Sequence, residues 1–142
     1  MEDHLRLFGR GSLSLAVLVL LLWGLTAPAE AAGFQWFFKN VRPTGQCGGA
    51  REVAVSYYNF VGRRTANGER FSSHAHTAAH RSLPFGTKVQ LKNPRNGRTV
   101  IIRINDRGPY GPAHRLGVKF DLGYGAARAL GLLQTNWVCV IG

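Results

Sequence analysis

The chain has 142 residues, with 18 Lys and Arg against 7 Asp and Glu and a formal net charge of +11. That length holds one ordinary domain and excludes a large multidomain enzyme. Hydrophobic residues at 45% and aromatics at 11% suffice for a buried core, which argues against intrinsic disorder, and 18 Gly with 6 Pro favour a β-rich domain with many tight turns over a helical bundle.

Residues 1–12 carry Arg6 and Arg10 and precede an uncharged run, LSLAVLVLLLWGL, over residues 13–25. The run is shorter than the roughly 20 residues of a membrane span, and Pro28 and Glu30 close it. It therefore reads as the core of a cleavable signal peptide. Ala27 with Ala29, or Ala29 with Ala31, gives the Ala-x-Ala spacing of a cleavage site, so the signal is assigned to residues 1–31. No cysteine stands at that point, which argues against a lipid anchor. The expected product is exported, periplasmic or secreted, monomeric and free of stable membrane insertion. Beyond Ala31 it has 111 residues, with 16 Lys and Arg against 4 acids, or +12.

Residues 32–50 read as an irregular lead-in, with Phe34, Trp36, Phe37 and Phe38 expected to pack on a domain spanning residues 51–142. Strands are predicted over residues 52–58, 87–93, 98–104 and 136–141 from short β-branched and aromatic runs bounded by turn residues. The middle two form a hairpin whose connector, Pro94-Arg95-Asn96-Gly97, holds the Asn-Gly pair that tolerates positive φ. One helix is predicted over residues 124–130, with Gly131 as its stop, while residues 62–76 and 106–119 read as surface loops. Because exported thiols oxidise, Cys47 and Cys139 are expected to pair, closing a loop of about 92 residues worth roughly 4 to 5 kcal/mol.

Four acids remain after residue 31: Glu52, Glu69, Asp106 and Asp121. An acid kept in a glycine-rich loop among sixteen cations is a candidate for function, which singles out Glu69 and Asp106; Glu52 at a strand start and Asp121 before the helix have easier structural readings. Paired carboxyls suit glycosidic bond cleavage, where one group gives a proton and another handles the nucleophile or the developing positive charge. His80 is placed to orient or protonate a substrate oxygen. The spacing His74-x-His76-x-x-x-His80 invites a metal reading, but no acid or cysteine nearby completes a site, and no metal or cofactor is expected. The 14 Arg against 4 Lys would suit nucleic acid, yet export points instead to cell-envelope polyanions.

The blocks SYYNFVGRRTANGERF, TAAHRSLPFGTKVQLKN, GRTVIIRINDRGP and FDLGYGAARALGL, in this order over residues 56–137, closely resemble the rare lipoprotein A (RlpA) family. The resemblance implies an all-β fold, a six-stranded double-psi β-barrel with one or two short helices. It also implies endolytic peptidoglycan lytic transglycosylase activity, cleaving glycan strands, preferably those lacking stem peptides, to 1,6-anhydro-N-acetylmuramic acid ends. It places the family's functional positions on Glu69, His80 and Asp106 and gives Asp121 a structural or groove-lining role. On this reading Asp106 is the acid and base and Glu69 supports the developing charge, an exchange of the two being almost as acceptable. Arg63, Arg64, Arg70 and Arg107 form the groove walls, and Tyr57 or Tyr58 stacks on sugar faces. The chain departs from the family at Gly123, where a helix-capping Ser is usual, and over residues 110–119, which are longer and more basic. It also lacks a lipidation cysteine and a C-terminal peptidoglycan-binding repeat, so no septal role is carried over. The alternative is an expansin-like glycan binder without catalysis; hydrolysis by an inverting route is a further rival.

Overall fold

The computed structural model describes residues 42–132 and 134–142; the expected signal segment and the aromatic residues Phe34, Trp36, Phe37 and Phe38 lie outside the described residues. Within residues 42–50 the chain has neither helix nor strand, in line with the predicted lead-in. Six strands follow: β1 (Arg51–Tyr58), β2 (Thr77–Ala79), β3 (Lys88–Lys92), β4 (Thr99–Asp106), β5 (Val118–Gly123) and β6 (Asn136–Val140), with two short helices, α1 (Gly111–Arg115) and α2 (Tyr124–Leu130). Among the described residues no helix is long and apolar enough to cross a membrane.

The strands close into a barrel in the order β1-β5-β2-β4-β3-β6. Two neighbour pairs, β1 with β5 and β2 with β4, run parallel, and the other four run antiparallel. This is the mixed six-stranded closure of the double-psi barrel. Closure leaves no open sheet edge, so every strand finds partners on both sides. The β3–β4 hairpin forms as predicted: Asn93 N–H donates to the Arg98 carbonyl at 2.8 Å, and Gly97 takes φ 76° in the turn. On β4, Val100, Ile102 and Ile104 point into the core while Thr99 and Ile101 face out, the period-2 alternation of a half-buried strand.

Three local readings are corrected. The segment read as a loop over residues 106–119 contains α1 and the start of β5, and β2 follows the other predicted loop. In β5 the alternation was present, with Val118, Phe120 and Leu122 buried between Lys119 and Asp121, but the run is short and its parallel partner β1 is far away in sequence. In β2, two of the three residues are Ala, which strands disfavour, and tertiary pairing on both sides holds it extended. The helix α2 forms as predicted and ends at Gly131, which adopts the left-handed φ of 70°. It lies so close to residues 74 and 75 that a Cβ on Gly125 would stand 2.6 Å from the His74 carbonyl carbon.

One core of Val53, Val55, Leu91, Ile102, Ile104, Leu122, Leu130 and Val138, with their neighbours, fills the barrel. The bond between Cys47 and Cys139 forms as expected, with an S–S distance of 2.00 Å, and ties the lead-in to β6. Glu52 takes the structural part read for it: it accepts from the Thr44 N–H, the Thr44 hydroxyl and the Gly45 N–H. Burial pushes its carboxyl up, but those hydrogen bonds outweigh it and hold Glu52 below the ordinary value.

Candidate functional site

Four neighbouring strands bring a polar row to one end of the barrel. Ser56 on β1 is in register with Asp121 on β5, Asp121 with Ala79 on β2, and Ala79 with Asp106 at the end of β4. The register shifts by a bulge between Ala78 and Ala79, which re-aims the end of β2 where the chain leaves the sheet. Ala79, 3% exposed, lies in this row between the two carboxyl-bearing positions and packs with Tyr58 and Phe71.

Asp106 accepts three hydrogen bonds: at Oδ1 from the Ala66 N–H (2.9 Å) and the Arg107 N–H (2.8 Å), and at Oδ2 from the Tyr58 hydroxyl (3.2 Å). Tyr58 is 8% exposed, and burial with the charge of Asp106 drives its hydroxyl far above the ordinary tyrosine value, so it acts as a fixed donor. Asp121 accepts one hydrogen bond from the Ser56 hydroxyl at 2.8 Å. Burial raises its carboxyl from 3.8 to about 6; the Ser56 bond opposes this and the charge of Asp106 adds to it. The two carboxyls thus have unlike surroundings, Asp106 hydrogen-bonded by three donors and Asp121 buried with one.

Glu69 sits on the loop of residues 63–71, which folds back on itself through the Arg64–Arg70 bridge and is laid on β4 by the Asn67 N–H bond to the Asn105 carbonyl (3.2 Å). Arg103 grips Glu69 with both Nη atoms at 2.8 Å, and Asn105 (3.1 Å) and Asn67 (2.8 Å) add side-chain bonds. The Arg103 bonds first, then those from Asn105 and Asn67, hold the Glu69 carboxyl down at about 2. A carboxylate so held is a poor proton donor at neutral pH.

His80 follows β2 directly and its ring tilts against Phe120 at 4.9 Å. The N–H groups of Ser82 and Leu83 both donate to Nδ1, at 3.2 and 3.0 Å. That nitrogen therefore carries a lone pair and the proton resides on Nε2. Burial, then Arg107 and Lys119, keeps the ring below its ordinary value, so the neutral imidazole is a hydrogen-bond donor through Nε2. His74 and His76 instead line a separate cavity with Arg98 and Arg128, and among the described residues no group of three His, Cys, Asp or Glu is gathered for a metal.

The arginines read as groove walls divide. Arg63 lies over the Phe60 ring at 5.7 Å and Arg64 donates to the Gly68 carbonyl at 2.7 Å, both on the exposed loop with Arg70. Arg107 turns inward, donating to the carbonyls of His80 (3.2 Å) and Leu83 (2.9 Å) and stacking on Phe85 at 3.8 Å, so it braces the turn that presents His80. Tyr57 is exposed, with its ring 6.2 Å from Tyr124.

Sequence reasoning missed Tyr58 as a partner of Asp106, Ser56 as a partner of Asp121, and Arg103 as the clamp on Glu69. The Asp106–Tyr58 and Asp121–Ser56 pairs span 48 and 65 residues, and no local signal reports them. Arg103 gave a signal: it stands two and three residues before the Asn105-Asp106 pair on a strand, where same-face neighbours recur every second residue.

Residues 30–140 match the family described as lytic transglycolase. The chain is 60% identical over 80 residues to the "Probable endolytic peptidoglycan transglycosylase RlpA" of Synechocystis sp., covering 55% of this chain and 24% of that protein. It is 44% identical over 91 residues to the "Endolytic peptidoglycan transglycosylase RlpA" of Pasteurella multocida, covering 63% and 30%. With the Helicobacter pylori protein of the same name it shares 36% over 110 residues, covering 76% and 33%. The matched stretch thus spans about a quarter to a third of these relatives. Among solved structures, the Streptomyces papain inhibitor superposes with a TM-score of 0.45 at 18% identity, over 68% of this chain and 97% of that one, a likeness that carries no functional argument.

Proposed function

Because the chain belongs to the lytic transglycolase family, we propose that it is an exported endolytic peptidoglycan transglycosylase that works at the cell envelope and cleaves glycan strands to 1,6-anhydro-N-acetylmuramic acid ends. The observation that carries this reading is the Asp106–Asp121 pair, two carboxyls flanking Ala79 with unlike environments at one end of the barrel.

Asp121 holds the proton and gives it to the glycosidic oxygen as the bond to the N-acetylmuramic acid carbon breaks. Asp106, hydrogen-bonded by Tyr58, Ala66 and Arg107, takes the proton from the same sugar's C6 hydroxyl, whose oxygen closes onto the anomeric carbon. One proton leaves the pair and one enters, so transfer from Asp106 back to Asp121 restores the starting state without consuming water. Glu69, ionised in the grip of Arg103, supplies fixed negative charge toward the oxocarbenium-like centre, and His80 orients substrate through Nε2–H. Tyr57 offers a stacking face, and Arg63, Arg64 and Arg70 attract the anionic polymer.

The test is digestion of purified peptidoglycan, intact and amidase-treated, by the protein and by Asp106→Asn, with mass spectrometry of the soluble products. Anhydro ends released by the wild type and lost in the variant support the reading. Ends with a free reducing sugar identify hydrolysis. If neither protein releases product while both sediment with the wall, the expansin-like binder replaces it.

A further inference from the structure

Asn105 stands next to last on β4 and is 2% exposed. Its Nδ2 donates to Glu69 Oε2 at 3.1 Å, while its Oδ1 is, among the described residues, the one buried side-chain polar atom that meets no hydrogen-bond partner in the protein. The orientation is forced, because a carboxylate gripped by Arg103 only accepts: the amide has to face Glu69 with its NH2, and its oxygen is turned away. Asn93, as buried at 3%, uses both ends of its amide, donating to the Leu130 carbonyl at 2.9 Å and accepting from the Arg95 N–H at 3.0 Å. An asparagine that serves the fold alone is satisfied in that way, whereas folding alone gives no reason for a buried acceptor left unmatched at Asn105.

The Glu69 carboxylate is in turn filled with donors. Oε1 accepts from Arg103 and Asn67, and Oε2 accepts from Arg103 and Asn105, so these bonds occupy the roughly four acceptor positions of a carboxylate. What is left for it to do in a reaction is to hold a charge at one place. That place is set against Asp106 by the stitching of residues 65–69 to the end of β4. The Ala66 N–H donates to Asp106 Oδ1 at 2.9 Å, the Asn67 N–H to the Asn105 carbonyl at 3.2 Å, and the Asn105 amide to Glu69. Asn105 supplies two of these three ties, one from its backbone and one from its side chain. Arg103 and Asn67 are partly exposed, so among the side chains on Glu69 the Asn105 amide is the one whose position the packed barrel sets.

We propose that Asn105 is a positioning residue for the reaction: its buried amide holds the Glu69 carboxylate in a set place relative to Asp106, beside the sugar whose C6 hydroxyl Asp106 deprotonates. The inference rests on the glycan reading above and deepens it. Asn105 touches no substrate and acts through Glu69. A displacement of about 1 Å at such a group is enough to slow a reaction about 10²-fold. The loss should therefore fall on the chemical step rather than on binding, and it should vanish once Glu69 carries no charge to place.

The experiment replaces Asn105 by Leu, which keeps the side-chain volume and the backbone tie while removing the amide, and by Ala, which adds no atoms should Leu pack badly. Release of anhydro ends from amidase-treated peptidoglycan is measured against substrate concentration, in the wild-type and Glu69→Gln backgrounds, and the Glu69 carboxyl is followed through an acid titration by carbon NMR. The expected result is a folded protein whose kcat falls about tenfold or more while KM stays within about twofold. The Glu69 carboxyl titrates at higher pH than in the wild type, having lost one of the bonds that hold it down. In Glu69→Gln the same change costs less than about twofold. An equal loss in both backgrounds, an unchanged kcat, or a Glu69 titration that does not move overturns the proposal, and so does a failure of both variants to fold, which assigns Asn105 to the fold. A wild type that releases no anhydro ends removes the proposed reaction, and the carboxyl titration, which needs no substrate, then decides alone: a rise on loss of the amide sustains the tie to Glu69, and no change overturns it.

Discussion

Replacing Asp121 by Asn separates function from stability in a direction opposite to most core changes. The Asp121 carboxyl is raised from 3.8 to about 6, mainly by burial, with the charge of Asp106 adding to it. At about 1.36 kcal/mol for each tenfold change in proton affinity, ionising it in the folded state costs about 2 to 3 kcal/mol. Toward pH 3 Asp121 is protonated in folded and unfolded chains alike and costs nothing, and at pH 4 it still costs little; as pH rises through about 6 the folded protein loses the full amount. An amide carries no charge and accepts the same Ser56 hydrogen bond. Asp121→Asn is therefore expected to match wild type near pH 4 and to exceed it by about 2 to 3 kcal/mol at pH 8, read as urea midpoints with the disulfide intact. Its release of anhydro ends should fall at least about 10²-fold, the usual worth of a general acid, and wild-type kcat should decline as pH rises through about 6. A variant less stable than wild type at pH 8, or a stability difference that does not change between pH 4 and 8, would refute the argument.

Three further outcomes follow from the same structure. Glu69→Gln should cost only about 0.2 to 1 kcal/mol, because its pair with Arg103 is exposed and solvent-screened. Because the folded value is depressed to about 2, that contribution is present above the unfolded carboxylate range and fades as pH falls toward 2, which an acid titration of wild type against variant would register; activity should drop far more than stability. Gly125→Ala, a change favoured by helix propensity, should instead destabilise by about 1 to 3 kcal/mol, since the new Cβ meets backbone atoms of His74 and Ala75 that cannot move aside; an unchanged or raised thermal midpoint would contradict it. Reduction of the Cys47–Cys139 bond, which spans 92 residues, should lower stability by about 4 to 5 kcal/mol, measured as the shift of the urea midpoint with and without reductant.

The sequence by itself determined the parts whose physics is local. Asn96-Gly97 closes the β3–β4 hairpin because that turn needs positive φ, the Ala-rich run ending at Gly131 makes α2, and alternation on β4 buries Val100, Ile102 and Ile104. The shortage of acids isolated every carboxylate that matters, and the order of the motif blocks carried the fold. Only the tertiary structure decided what surrounds those carboxylates. Asp106 and Asp121 fall in one row because β2, a three-residue strand of one Thr and two Ala, is inserted between β4 and β5 by pairing on both sides. Glu69 and Asp106 looked interchangeable as loop acids, and their environments separate them: Arg103 pins one, while Tyr58 and two backbone N–H groups hold the other beside a buried neighbour. Proton affinity is set by burial and by charges brought close in space. In a barrel closed by two parallel and four antiparallel pairings those neighbours come from distant strands, so residue types along the chain name the candidates while closure sets their surroundings.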